Sequence, residues 1–125
     1  GLSAGVGVWV PELSLALSIP LSDAARRRGD NNVFEAAAAT LGAHIAAAVT
    51  DDTRPIRVLC DNSSAVAWLN TGSPRTSLDQ RALTLSLAQA QLAWRSRRRF
   101  TFVFRPGVDN TVADALSRQT PGSRL

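Results

Sequence analysis

The chain has no lysine: all fourteen of its basic residues are arginine, against ten acids, for a formal net charge of +4. Two readings of that bias stand. One is codon usage that favours arginine. The other is contact with phosphate, which the planar guanidinium fork grips through two parallel hydrogen bonds. Clusters at Arg26-Arg27-Arg28 and Arg97-Arg98-Arg99 favour the second. Cysteine is nearly absent. The lone Cys60 sits in an apolar run, which excludes a disulfide framework and makes a reducing, intracellular setting (cytoplasmic or nuclear) the expectation. One Cys and one His cannot build a zinc site. No apolar run reaches the roughly 18 residues of a membrane span, no secretory leader stands at the start, and no membrane partner is expected. Internal repeats and low-complexity linkers are also lacking. What is there, 125 residues with 45% hydrophobic, suits one domain with a single core.

Along the chain, "GVGVWV" (5–10) and "LSLALSIPL" (13–21) read as a hairpin around Pro11-Glu12. The Ala-rich stretch 31–50 reads as a helix opened by Asn, with Phe34, Ala38, Leu41, Ile45 and Val49 as its buried stripe. "IRVLCD" (56–61) is a short strand of the kind buried on both faces, followed by a short helix over 62–70. A long helix spans 78–99, with Leu78, Leu85 and Leu92 on one side and Leu83, Leu87 and Trp94 near another. "FTFVFR" (100–105) alternates Phe100, Phe102 and Phe104 on one face of a strand. A final helix covers 110–118, and 119–125 is a flexible tail. The order predicts an α/β fold: a mixed sheet flanked by helices, with antiparallel strands first and helical crossovers later.

Three acids stand out: Glu35 near the start of a helix, Asp61 at the end of a central strand, and Asp114 in the last helix. Each has a plain explanation alone. A Glu in a first helical turn complements the dipole, and an Asp after a strand often caps the next helix. Together they suggest a cation, because clustered carboxylates repel one another. Oxygen-only ligands suit Mg²⁺ or Mn²⁺.

The stretch "PGVDNTVADALSR" (106–118) resembles the C-terminal signature of ribonuclease H domains in reverse-transcriptase polyproteins of retroelements and pararetroviruses. "VLCDNSSAVAWLN" resembles the strand that carries the family's third carboxylate and the helix after it, and "NNVFEAAAATLGA" the first helix with its catalytic Glu. The resemblance runs from about residue 5 to 118. It implies an RNase H-like fold with Glu35, Asp61 and Asp114 as catalytic, metal-binding residues. Two Mg²⁺ (or Mn²⁺) ions would be held about 3.5–4 Å apart. The RNA strand of an RNA–DNA hybrid would be cut endonucleolytically, by a domain linked to a polymerase. Asn62, Ser63, Ser64, Asn110 and Arg97 to Arg99 are the candidate nucleic-acid contacts. Asn62, Ser63 and Ser64 are equally ordinary cap residues, and Asn110 could be the cap of the last helix.

The pattern departs from the family in two places. The family's first carboxylate stands five residues before a Gly-x-Gly. Here Gly5-Val6-Gly7 fits that pair, so the expected Asp falls one position before Gly1. The resemblance therefore implies a domain over 1–118 that lacks the first central strand, with unpaired backbone on both neighbouring strands and little activity of its own. The second departure is Phe104, where many members have His; the only histidine, His44, lies among alanines and reads as a packed helix residue. A non-catalytic RNase H-like nucleic-acid-binding or connection module is the competing reading.

Overall fold

The computed structural model describes residues 5–20, 31–71 and 80–118. Arg26 to Arg28, Leu78 and the 119–125 tail lie outside the described residues. The elements are β1 (Gly5–Val10), a 3-10 turn (Pro11–Leu13), β2 (Leu15–Pro20), α1 (Asn31–Val49), β3 (Ile56–Cys60), α2 (Ser63–Thr71), α3 (Gln80–Ser96), β4 (Phe100–Phe104) and α4 (Val108–Arg118). The fold is α/β, a four-stranded mixed sheet in the order β2-β1-β3-β4 with helices packed on it.

The sheet has two full ladders and one short seam. β1 pairs antiparallel with β2 over six residue pairs from Gly5↔Pro20 to Val10↔Leu15. β3 pairs parallel with β4 over five, from Ile56↔Phe100 to Cys60↔Phe104. Between them, β1 and β3 meet antiparallel through only Val8↔Cys60 and Trp9↔Leu59. The expected gap between these strands is therefore not seen: they lie side by side with no strand between them. The seam is short, and it stops just where β3 ends.

Period-two alternation in β1 sets both layers. Val6, Val8 and Val10 are buried in the core cluster with α1, while Gly7 faces Asp109 and Val112 of α4. α1 lies across β1, β2 and β3 and touches α2 and α3; α4 packs against β1, β2 and β3 from the other side. On α4 the pair Val108 and Val112, one turn apart, is buried.

The buried face of α1 matches the expected stripe only in part: Ala38 is buried and Phe34 packs against the core. Ala36, Ala39, Ala43 and Ala46 are buried, whereas Leu41 and Val49 are 44% and 66% exposed. The small side chains let the helix backbone approach the sheet. A Cβ added at Gly42 would lie 3.1 Å from a methyl of Val8. Contrary to the expectation of no apolar run of that length, the window Asn32–Val49 is long and apolar enough to cross a membrane by length and composition. Its alanine face is a core face here. His44 is a packed helix residue, with Nδ1–H donating to the Thr40 carbonyl at 2.8 Å.

Other differences are local. On β4, Phe102 is buried but Phe104, at the end of the strand, is 45% exposed. On α3, Leu92 is buried, while Leu87 and Trp94 face outward. At the middle of β4's outer edge, one side chain caps one residue. Asn70 donates to the Phe102 carbonyl at 2.8 Å and accepts from the Phe102 N–H at 3.0 Å, satisfying both backbone groups that an edge strand leaves open.

Candidate functional site

Asp61 stands immediately after β3, at the carboxyl end of a strand in a parallel pair, where open α/β sheets form their crevices. Continuing the β1–β3 register by one step places Asp61 opposite Gly7, the first position beyond the seam. Asp109, in the first turn of α4, lies over Gly7: a Cβ there would come within 2.7 Å of its Oδ1. Only glycine leaves that space. The Gly7 backbone N–H hydrogen-bonds the Asp109 carboxylate. Glu35 approaches from α1, and the backbone N–H of Asp61 hydrogen-bonds its carboxylate.

The electrostatics join these three acids. Glu35 is 6% exposed, and its Oε1 is buried with no hydrogen-bond partner. Burial, then the charges of Asp109 and Asp61, push its carboxyl up to about 7; the Asp61 N–H opposes this only in part. Asp109 is raised as well, by burial and then by Asp61, against the Gly7 hydrogen bond. Cys60, next to them, is pushed up to about 12 by burial and by Glu35 and Asp61, so it is an inert thiol. Glu35 therefore keeps its proton to higher pH than an ordinary glutamate, beside two further acids.

The plain explanations for Glu35 and Asp61 fail. Glu35 is the fifth residue of α1, beyond the first turn, and buried. Asp61 does not cap α2. Asn62 does: its Oδ1 accepts from the Ala65 N–H at 2.8 Å, and its Nδ2 donates to Asn32 Oδ1 at 2.7 Å. Asp61 itself is exposed. For Asp109 the dipole reading holds in part, since it lies in a first helical turn.

Asp114 is not brought to this cluster. Its carboxylate is 60% exposed and pairs with Arg118 at 2.8 Å, one helical turn on. At about 100° per residue it lies nearly opposite Val112, which faces the sheet. Asp114 therefore stands apart from the cluster in which the resemblance implies it. Asp109 was missed because the last helix begins at Val108 rather than 110, which turns an assumed loop residue into a first-turn acid.

The nucleic-acid candidates divide. Ser63 and Ser64 are exposed in the first turn of α2, and Asn110 is exposed within α4, where it is not the cap. Asn62 is engaged as the cap of α2. Arg97 and Arg99 are exposed. Arg98 is not available for phosphate. It is 6% exposed, and it donates to the Arg54 carbonyl at 3.0 Å, to Thr50 Oγ1, and to Asp52 at 3.1 Å.

For a divalent cation, the chemistry and the placement differ. Glu35, Asp61 and Asp109 offer only oxygen, the donor set of Mg²⁺ or Mn²⁺. The orphaned Glu35 Oε1 and the mutual repulsion are what positive charge would relieve. As the side chains stand, however, no three His, Cys, Asp or Glu among the described residues are close enough to hold one ion. No known family model, curated protein or solved structure matches this chain.

Proposed function

We propose that this domain is an RNase H-like nuclease of the reverse-transcriptase type, which hydrolyses the RNA strand of RNA–DNA hybrids with a divalent cation. One observation supports this most: Glu35, Asp61 and Asp109 come from three separate elements and couple electrostatically around the end of β3. The sequence resemblance supports the same reading but assigns the last carboxylate to Asp114.

In this reading Glu35, Asp61 and Asp109 hold the cation, which when bound supplies charge to activate water and to stabilise the leaving oxygen. Glu35 is the deepest of the three, and its carboxyl holds or releases a proton near neutral pH. Exposed Asp61 is free to turn toward the substrate. Gly7 keeps the space under Asp109 open. In the same reading Ser63 and Ser64, exposed beside Asp61, contact 2′-hydroxyls of a hybrid read by shape.

The test is cleavage of a labelled RNA–DNA hybrid in Mg²⁺ or Mn²⁺. It compares this chain with one that carries about fifteen more of the natural residues ahead of Gly1, enough for a strand and its turn. Cleavage by the longer form, abolished by Asp61→Asn, is expected. The second reading is a non-catalytic nucleic-acid-binding module. It is favoured by the failure of the carboxylates to close on a common point. Absence of cleavage in both forms would select it.

A further inference from the structure

The side of α3 that faces β4 carries a second group of unsatisfied atoms, away from the carboxylates. Gln89 is 4% exposed and Ser86 is 2% exposed. Gln89 Nε2 and Oε1 and Ser86 Oγ are all buried without a hydrogen-bond partner. A buried amide left so costs stability, and native folds keep few such groups without a reason. These atoms line a pocket of about 250 Å³ floored by Leu69, Phe100 and Phe102. Water could fill part of it. Water does not account for what adjoins it.

A second, open cleft of about 500 Å³ begins at the shared residue Ala93 and is lined by Trp94, Arg95 and Arg97. Trp94 is 84% exposed, an unusual position for the largest apolar side chain. Arg95 and Arg97 are exposed, and no carboxylate among the described residues pairs with them. Arg97 also holds a left-handed backbone, φ 56°, which ends α3 at a cost for a residue with a Cβ. The next residue, Arg98, is anchored inward by its three partners, which leaves Arg97 and Arg99 pointing away from the core.

We propose that α3 and the start of β4 bind an unpaired nucleotide within a single-stranded nucleic acid. The base enters the Ser86–Gln89 pocket, and Trp94, Arg95 and Arg97 hold the adjoining base and phosphates. The occupant follows from complementarity. A primary amide whose donor and acceptor both lack a partner matches the edge of a nucleobase, which presents the same two groups side by side. An exposed aromatic flanked by arginines is the combination that stacks bases and tracks a backbone. A protein backbone would also answer the amide pair, but Arg95 and Arg97, beside an exposed aromatic and without carboxylate partners among the described residues, favour an occupant that carries phosphates. The site is at the amino end of β4, while Asp61 is at the carboxyl end of its parallel neighbour β3. Five strand residues, about 16 Å, separate the two ends.

The experiment measures binding of a fluorescent twelve-residue oligodeoxyadenylate, and of an abasic strand of equal length, to the full chain across a salt series. Wild type is expected to bind the base-bearing strand about tenfold more tightly. Gln89→Leu and Trp94→Leu should each remove most of that difference without changing the salt slope. Arg95→Ala and Arg97→Ala should each lower the slope by about 0.7 while the preference for bases remains. Gln89→Leu removes an unsatisfied amide, so its thermal midpoint should equal or exceed that of wild type. Equal affinity for the two strands in wild type would overturn the proposal. So would unchanged binding by Gln89→Leu, or concentration-dependent self-association that Trp94→Leu abolishes. Binding is read without a divalent cation and cleavage only with one, so failure of this proposal and failure of the nuclease reading are told apart.

Discussion

Two ionisable side chains are buried to the same extent, Arg98 and Glu35, each 6% exposed. Their surroundings are opposite. Arg98 finds a carbonyl, a hydroxyl and a carboxylate, and it ties the end of α3 to the loop before β3. Glu35 finds two more acids and leaves an oxygen unpartnered. Burial alone therefore does not mark a functional residue. A buried charge whose partners are complete belongs to the architecture. One surrounded by its own sign is kept at a cost, which is the cost that the cation of the proposed function would relieve.

The largest effect that sharpens this comparison is in pH. The Glu35 carboxyl is raised from 4.5 to about 7 in the fold, so the folded state binds the proton more tightly than the unfolded chain. Stability from this group is fully present below about pH 4.5 and is lost as pH rises through about 7. The loss amounts to about 3 kcal/mol. Urea unfolding across that range should show the decline, and Glu35→Gln should flatten it and be the more stable protein at pH 8. An unchanged slope in Glu35→Gln would mean that the carboxyl is hydrated.

Arg98→Ala should break the other side of the comparison. It leaves the Arg54 carbonyl without its donor and removes a packed side chain, at a cost of about 2–3 kcal/mol at any pH in the neutral range. A loss below about 0.5 kcal/mol would place Arg98 with the exposed arginines. Gly7→Ala should cost about 1 kcal/mol, because its methyl displaces the Asp109 carboxylate. Its sharper readout is Glu35, whose midpoint should fall as Asp109 moves away. Asp114→Asn should have the smallest effect, below about 0.5 kcal/mol, since it removes only an exposed pair with Arg118.

Much of the fold was legible in the sequence. Periodicity and turn chemistry locate the strands and helices of the described residues, because alternation and Ala-rich stretches report local geometry directly. The sense of packing was less legible. The large residues of α1 suggested one stripe, but the alanines are buried because the helix lies so close to β1 that only small residues fit. Likewise, a run of three arginines reads as one patch, while the chain turns its middle member inward. Glu35 and Asp61 could be found from their positions. Asp109 could not, because a two-residue shift in the start of a helix decides which acid faces the sheet. Gln89 gave no signal, since an unsatisfied amide is a property of its surroundings.

The most direct test of the central claim is calorimetric titration of this chain with Mn²⁺. Wild type and Asp114→Asn are expected to bind the ion alike, while Asp61→Asn and Asp109→Asn lose the binding. Loss in Asp114→Asn with binding intact in Asp109→Asn would contradict the account and return the last carboxylate to Asp114.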